Sequence, residues 1–285
     1  MTHELKGRTI LVTGATNGIG LESSVQLAGM GATVVMVGRD PGRTERALAE
    51  VKRRSGSADV SSLLCDFSSL AQVRALADGF RARHPRLDVL VNNAGGVNAA
   101  RTITVDGLET TFAVNHLGPF LLTTLLLDLL EKSAPSRIVN VASEAHRQGV
   151  IDFENLQFEK GGYGTLKAYA NSKLANILFT RELSRRLSGK GVTVNCLHPG
   201  VVDTGIWDKS PWYYKPLILP AKLFFISAEK GGRTITHLAA SDAVAQVTGE
   251  YFTRNKVTKT TRLARDEALA RRLWDESAAL VKLSR

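Results

Sequence analysis

Apolar and β-branched residues gather in short runs along the chain, and each run is followed by a longer stretch whose apolar positions recur at helical spacing. The runs Thr9–Val12, Thr33–Val37, Val60–Leu64, Val89–Val91, Arg137–Val141 and Val192–Leu197 are too short for typical helices and rich in branched side chains, so they predict buried strands. Between and after them, helices are predicted at Ile19–Met30, Gly42–Arg54, Leu70–Arg83, Val105–Leu130, Leu166–Leu187 and Glu229–Ala239. Tyr251 and Phe252 predict a last strand, and Arg265–Leu283 a terminal helix. Strand and helix in alternation mean repeated βα units. The expected fold is therefore α/β, a Rossmann-like doubly wound parallel sheet of about seven strands with helices on both faces.

No composition shift, long linker or internal repeat divides the 285 residues, which predicts one dinucleotide-binding domain over 1–285. The rhythm breaks once, at 203–226, where Trp207, Trp212, Tyr213 and Tyr214 mix with Pro211, Pro216 and Pro220. An aromatic insertion over a substrate site reads this way, and so does a helical excursion packed on the core. A hydrophobic residue content of 44% with 22% charged residues is that of an ordinary globular protein. Lys and Arg number 37 against 27 Asp and Glu, a net charge of +10 that favours anionic partners without choosing among a nucleotide phosphate, a membrane surface and nucleic acid. Arg43, Arg46, Lys52, Arg53 and Arg54 fall along a helix with no aromatic stacking pattern, which reads as a solvated face and not a nucleic-acid site. Cys65 and Cys196 sit in apolar runs without metal-ligand spacing and are expected as buried thiols in a reducing cytoplasm. The polar start predicts neither a signal peptide nor a membrane anchor, and the apolar stretches Leu117–Leu130 and Leu217–Ile226 fall short of the ~20 residues a bilayer requires. Peripheral membrane contact stays open.

The first candidate chemistry lies where the first strand meets the first helix, in Thr13-Gly14-Ala15-Thr16-Asn17-Gly18-Ile19-Gly20. Gly14 permits a tight turn, Gly18 lets the backbone approach a pyrophosphate, Gly20 allows close helix packing, and the helix start offers amide donors to the anion. At the end of the second strand, an acidic residue would bind the ribose hydroxyls of NAD and an arginine the extra phosphate of NADP. Val37-Gly38-Arg39-Asp40 offers both. Arg39 can make a charge-assisted contact to a phosphate and favours NADP(H) over NAD(H), whereas a dominant Asp40 would favour NAD.

These residues, with Asn92-Asn93-Ala94-Gly95, Asn115, Ser143, Tyr169-Ala170-Asn171-Ser172-Lys173 and Pro199-Gly200, make the chain resemble the short-chain dehydrogenase/reductase family over almost its whole length. The resemblance implies that Thr16, Asn17 and Ile19 join the glycines around the cofactor. It also implies that Asp66 and Phe67 flank the adenine, that Asn92, Ala94 and Gly95 line the cofactor, and that Pro199, Gly200, Val202 and Thr204 embrace the nicotinamide. Tyr169 and Lys173 would touch the cofactor as well as act in catalysis. Asn115-His116-Leu117-Gly118-Pro119-Phe120, Val141-Ala142-Ser143-Glu144-Ala145-His146 and Gly249-Glu250-Tyr251-Phe252 are similar to the retinol dehydrogenase-like branch, which implies NADP(H) and a hydrophobic alcohol or carbonyl substrate.

The catalytic expectation has its own physical reason. Tyr169 and Lys173 are four residues apart, so a helix puts them on one face. An ammonium beside a phenol stabilises the phenolate, which then exchanges a proton with the substrate oxygen while hydride moves at the nicotinamide. Ser143 follows the fifth strand, where its hydroxyl can meet the reacting oxygen. Asn115 resembles the family asparagine that holds a relay water near the lysine. His116, His146 and His198 are scattered without metal-ligand spacing and predict no metal site. The competing expectations are a nucleotide-sensing regulatory protein that performs no chemistry, and a charge-driven binder of membrane or nucleic acid. The oligomeric state stays open.

Overall fold

The computed structural model describes residues 5–200 and 226–283. Eight strands form one sheet in the order β3-β2-β1-β4-β5-β6-β7-β8. They are β1 Thr9–Thr13, β2 Thr33–Gly38, β3 Val60–Leu64, β4 Val89–Asn92, β5 Ser136–Val141, β6 Val192–His198, β7 Tyr251–Thr253 and β8 Lys256–Val257. β1 to β7 run parallel, and β8 turns back antiparallel on β7, pairing Phe252 with Val257. This last hairpin is one strand more than the sequence predicts, because two residues are too few to show an alternation.

Alternate side chains of each strand enter opposite layers. Leu11, Leu90, Ile138 and Val194 face one side, where they meet α3 Leu70–Arg83, α5 Gly118–Leu125, α7 Thr165–Arg186 and α9 Glu267–Leu280. Ile10, Val12, Met36, Val91 and Val139 face the other, where they meet α1 Gly18–Gly29, α2 Pro41–Ser55 and α8 Ala228–Ala240. Helix starts are fixed locally. Asp40, Ser69, Ser227 and Asp266 each accept a hydrogen bond from a first-turn amide of α2, α3, α8 and α9. α7 and α9 dock through Trp274, whose ring lies 5.9 Å from that of Phe179 and 4.2 Å from the Arg186 guanidinium.

The helix predicted over 105–130 is broken. Gly107 takes a φ of +80° inside a turn closed by Thr104 N–H to the Leu108 carbonyl, so helix begins only at α4 Thr110–Phe112. The Glu109 carboxylate caps it, accepting from Thr111 N at 2.8 Å and Phe112 N at 2.7 Å. A π turn over Ala113–Leu117 follows, then α5, then α6 Leu127–Lys132. Pro119 supplies the reason for the widening: it has no N–H to give the carbonyl of Asn115 four residues earlier, so the regular helical ladder fails there.

At the amino ends of the strands the sheet is stapled shut by Asp88, which is buried and accepts from Arg8 Nη1, Thr9 N and Arg86 Nε, each at 2.8 Å. Burial works to raise this carboxyl, but the hydrogen bonds from Arg86, Thr9 and Arg8 outweigh it and hold the group below its usual value. The carboxyl ends of the strands are open, which is where ligands of such sheets enter.

Candidate active site

The loop after β1 turns at Gly14 with a φ of +64°, and a Cβ there would sit 2.8 Å from Cα of Ala94, so only glycine fits between the two chains. Asn93 locks the pair by donating from Nδ2 to the carbonyls of Thr13 at 2.9 Å and Gly14 at 3.0 Å. Thr13 Oγ1 in turn accepts from the amides of Asn93 and Ala94. Gly20 lies directly over the Gly14 carbonyl, where a side chain has no room. Asn17 is the N-cap of α1 and, unlike the caps of α2, α3, α8 and α9, offers its amides no side-chain acceptor. Gly18, Ile19 and Gly20 thus begin a helix whose start is free to receive an anion.

From this loop a groove of about 270 Å³ runs along the carboxyl edge, lined by Gly14, Thr16, Arg39, Asp66, Phe67, Ala94 and Gly95 among others. The Arg39 side chain is 60% exposed, with Nη1 3.8 Å from Asp66 Oδ2, and is free to swing toward a ligand. Asp40 is otherwise engaged: its Oδ1 accepts from Arg43 N at 2.8 Å as the cap of α2, and that bond holds its carboxyl below the usual range. Asn92 ends β4 at this edge. Its side chain turns away from the groove and into the helix layer, donating to Thr123 Oγ1 at 2.9 Å and Asn140 Oδ1 at 2.8 Å. Its strand position explains this, since Asn92 follows Leu90 on the same face.

Tyr169 and Lys173 lie one turn apart on α7, both buried, with the lysine Nζ 5.4 Å from the centre of the tyrosine ring. The Ser143 hydroxyl accepts from Ala145 N at 3.2 Å as a helix cap and stands near enough to the Tyr169 phenol to pull on its proton. Burial pushes the Tyr169 phenol up to about 12, against a smaller downward pull from Ser143. Burial also brings the Lys173 amine down to about 8. Before any ligand enters, desolvation therefore outweighs the expected stabilisation of the phenolate and the phenol keeps its proton at neutral pH. Lys173 Nζ donates to the Val141 carbonyl at 2.9 Å.

Asn115 joins the two halves of the site. Its Oδ1 accepts from Gly96 N at 2.8 Å, and its Nδ2 donates to the Gly96 carbonyl at 2.9 Å and to Ser172 Oγ at 3.0 Å. Its side chain ties the turn after β4 to α7 and is fully used in doing so. Pro199 and Gly200 follow β6 at the same edge, Gly200 with a φ of +97°. Val202, Thr204 and the aromatic segment up to Phe225 lie outside the described residues. Cys65 and Cys196 are buried, and burial raises both thiols to about 12, so neither is a nucleophile at neutral pH.

Comparison with known proteins agrees with this geometry. Residues 8–212 match the family described as short chain dehydrogenase. The chain belongs to the short-chain dehydrogenase family. Among curated relatives of this short-chain dehydrogenase, human retinol dehydrogenase 13 is 42% identical over 98% of the chain and 86% of its own length. Among solved structures, an uncharacterized protein from Mycobacterium paratuberculosis is 33% identical with a TM-score of 0.80, covering 98% of this chain and 95% of that one. The Pseudomonas aeruginosa RhlG/NADP active-site complex is 29% identical with a TM-score of 0.71, covering 87% of this chain and 95% of that one. No helix of this dehydrogenase, among its described residues, is long and apolar enough to cross a membrane.

Sequence reasoning missed four residues that shape the short-chain dehydrogenase site. Asn93 carried a signal, since it stands inside a motif whose neighbours were assigned. Asn176 also carried one, at seven residues from Tyr169 on the same helix face. His116 and Ser277 carried none, because they meet across 161 residues of chain.

Proposed function

We propose that this oxidoreductase is an NADP(H)-dependent enzyme that interconverts a hydrophobic alcohol with its aldehyde or ketone by hydride transfer. The observation that carries the reading is half-buried Ser143 with buried Tyr169 and Lys173 at the edge where the glycine loop and the uncapped start of α1 converge. The free amides of α1, and a turn that admits no Cβ at Gly14, fit a dinucleotide pyrophosphate. When bound, the nicotinamide supplies or accepts the hydride. In the reductive direction, protonated Tyr169 gives its proton to the substrate oxygen, and Ser143 donates a hydrogen bond to that oxygen as charge develops on it. Lys173, one turn away, offsets the phenolate charge left behind.

The commitment of Asp40 to capping α2 supports NADP(H) over NAD(H), because the carboxylate that would bind ribose hydroxyls is already bonded while Arg39 is unencumbered by any short contact. The relatives, among them a retinol dehydrogenase and an NADP complex, support the same substrate class and cofactor. A hydrophobic substrate also suits the aromatic content of 203–226.

The test is loss of nicotinamide absorbance with NADPH, and separately NADH, over a panel from retinal through medium-chain aldehydes to aromatic ketones. Turnover with NADPH is expected, and Tyr169→Phe should reduce it by at least about 10²-fold while NADPH affinity stays nearly constant. Full activity in that variant would remove Tyr169 from the mechanism. Arg39→Ala should lower the NADPH to NADH preference by about tenfold, the worth of one charge-assisted hydrogen bond. An unchanged ratio would return the choice of cofactor to other residues.

A further inference from the structure

The face of α7 that carries Tyr169 and Lys173 carries buried Asn176 a turn further on. Its Nδ2 donates to the carbonyl of Asn115 at 3.0 Å and, more weakly, to the carbonyl of Val141 at 3.4 Å. The Val141 carbonyl is the atom that receives Lys173 Nζ. The Asn115 carbonyl needs this donor because Pro119 has none to give it. Since both partners are carbonyls, the amide atom facing them has to be the nitrogen. Asn176 Oδ1 is then the acceptor at its other end, and His116 Nδ1 is the donor across 3.2 Å. His116 is fully buried, and burial brings it down to about 4, so its ring is neutral and its Nε2 is bare. That nitrogen accepts from the Ser277 hydroxyl at 2.9 Å. The chain of donors runs without conflict from α9, through the π turn, to the seat of the lysine.

We propose that Asn176 is a positioning residue for Lys173, held in its required orientation by His116 and, through His116, by Ser277 of the last helix. Asn176 fixes two carbonyls at once. One of them is the acceptor of Lys173, and the other belongs to the residue that joins the cofactor turn to α7. A buried amine with a single strong acceptor is held in place only as well as that acceptor is held. The titratable groups facing Lys173 are Tyr169 on its own helix and His198 at the end of β6, which feels its charge; His116 stands behind Asn176. The functional weight of the inference rests on the catalytic reading of Lys173, but the seat itself is measurable without turnover.

The experiment is a pH titration of the full chain labelled with carbon-13 at lysine Cε, with the Lys173 resonance assigned by its loss in Lys173→Met. In the wild type this resonance should titrate below the ordinary lysine value. In Asn176→Leu, a near-isosteric change that removes both donors, the amine should leave its seat toward water and its midpoint should rise by about one pH unit. Ser277→Ala, which touches neither the lysine nor its acceptor, should move the midpoint the same way by a smaller amount. In parallel, kcat for alcohol oxidation should fall about tenfold in Asn176→Leu, with the acid limb of the profile moved to higher pH and NADPH affinity within about twofold. A folded Asn176→Leu with an unmoved Lys173 midpoint overturns the proposal. If that variant does not fold, an unmoved midpoint in Ser277→Ala overturns it instead. If the wild type turns over no substrate, the catalytic reading fails on its own while the titration still decides the seat.

Discussion

The two faces of the sheet are built from the same strands, yet their interiors differ in kind. On the side covered by α1, α2 and α8, Ile10, Val12, Met36, Val91, Val139 and Leu197 meet Leu27, Val51, Ile235 and Leu238 in an apolar layer. On that side Ser23, Ser24 and Thr44 bond to carbonyls of their own helix or its cap, and the bonds that cross between elements stand in short separate groups, Thr236 to Gln26, Arg137 to the carbonyls of Leu238 and Ser241, and Asn195 to the carbonyl of Val247. On the side covered by α5, α7 and α9, a seam of amides and hydroxyls crosses from element to element. Asn92 bonds to Thr123 and Asn140, Asn140 to Thr180, and Thr180 to the carbonyl of Asn176, whose amide meets the carbonyl that holds Lys173. The first interior holds the sheet together chiefly by buried apolar area; in the second the hydrogen bonds are linked end to end, so each one fixes the donor arrangement of the next.

The comparison can be broken by a change of either kind. Leu27→Ala on the apolar side should cost about 3–4 kcal/mol of stability by leaving a cavity, with kcat and its pH profile unaltered in the folded protein. Chemical denaturation and turnover at a permissive temperature check this, and a moved pH profile would show that the two interiors are not independent.

Acid should act on the polar side. His116 lies at about 4 in the folded protein against an ordinary 6.5, so its contribution to stability is complete above 6.5 and is lost as pH falls toward 4. The unfolded chain binds the proton first, and the loss amounts to on the order of 3 kcal/mol. His198 is lowered similarly by its burial and adds to the slope. Denaturation between pH 7 and 4 should therefore steepen downward in the wild type and flatten by about one proton in His116→Gln. An unchanged slope would mean that His116 is charged in the folded protein.

A smaller effect sharpens the contrast further. Asn140→Leu should cost about 2 kcal/mol, because it leaves the Asn92 amide with one acceptor fewer in a buried place. Adding Asn92→Leu should restore part of that loss, since a seam with both partners apolar carries less unmet polarity than one cut in half. Strict additivity in the double variant would remove the seam as a cooperative unit.

The strands and most helices were legible because burial on both faces writes short branched runs, and Thr9, Thr33, Val60 and Val192 begin strands where the pattern places them. The placement of Tyr169 and Lys173 on one helix face was legible from their four-residue spacing, that of Ser143 from its position after the fifth strand, and the turn at Gly14 from glycines standing between a strand and a helix. What escaped depends on adjacency in space. Nothing near Asn176 tells of His116 and Ser277, and the alternation that names Leu90 and Ile138 as core gives no sign that Asn92 and Asn140 continue it in polar form. Val105 to Leu108 kept an apolar period through a turn that Gly107 makes, so the helix there was read too long. Val202, Thr204 and most of the aromatic stretch at 203–226 fall outside the described residues.

The π turn at Ala113–Leu117 is, in terms of phase, a one-residue insertion that the fold has kept. An α-helix advances about 100° per residue, so removing one residue there would rotate everything before it by that angle against everything after it. Phe120 and Leu121 would then keep their places in the core only by turning Asn115 and His116 away from α7, or the reverse. The chain cannot satisfy packing and polar contacts together with an even helix, and the extra residue acts as a vernier between the two.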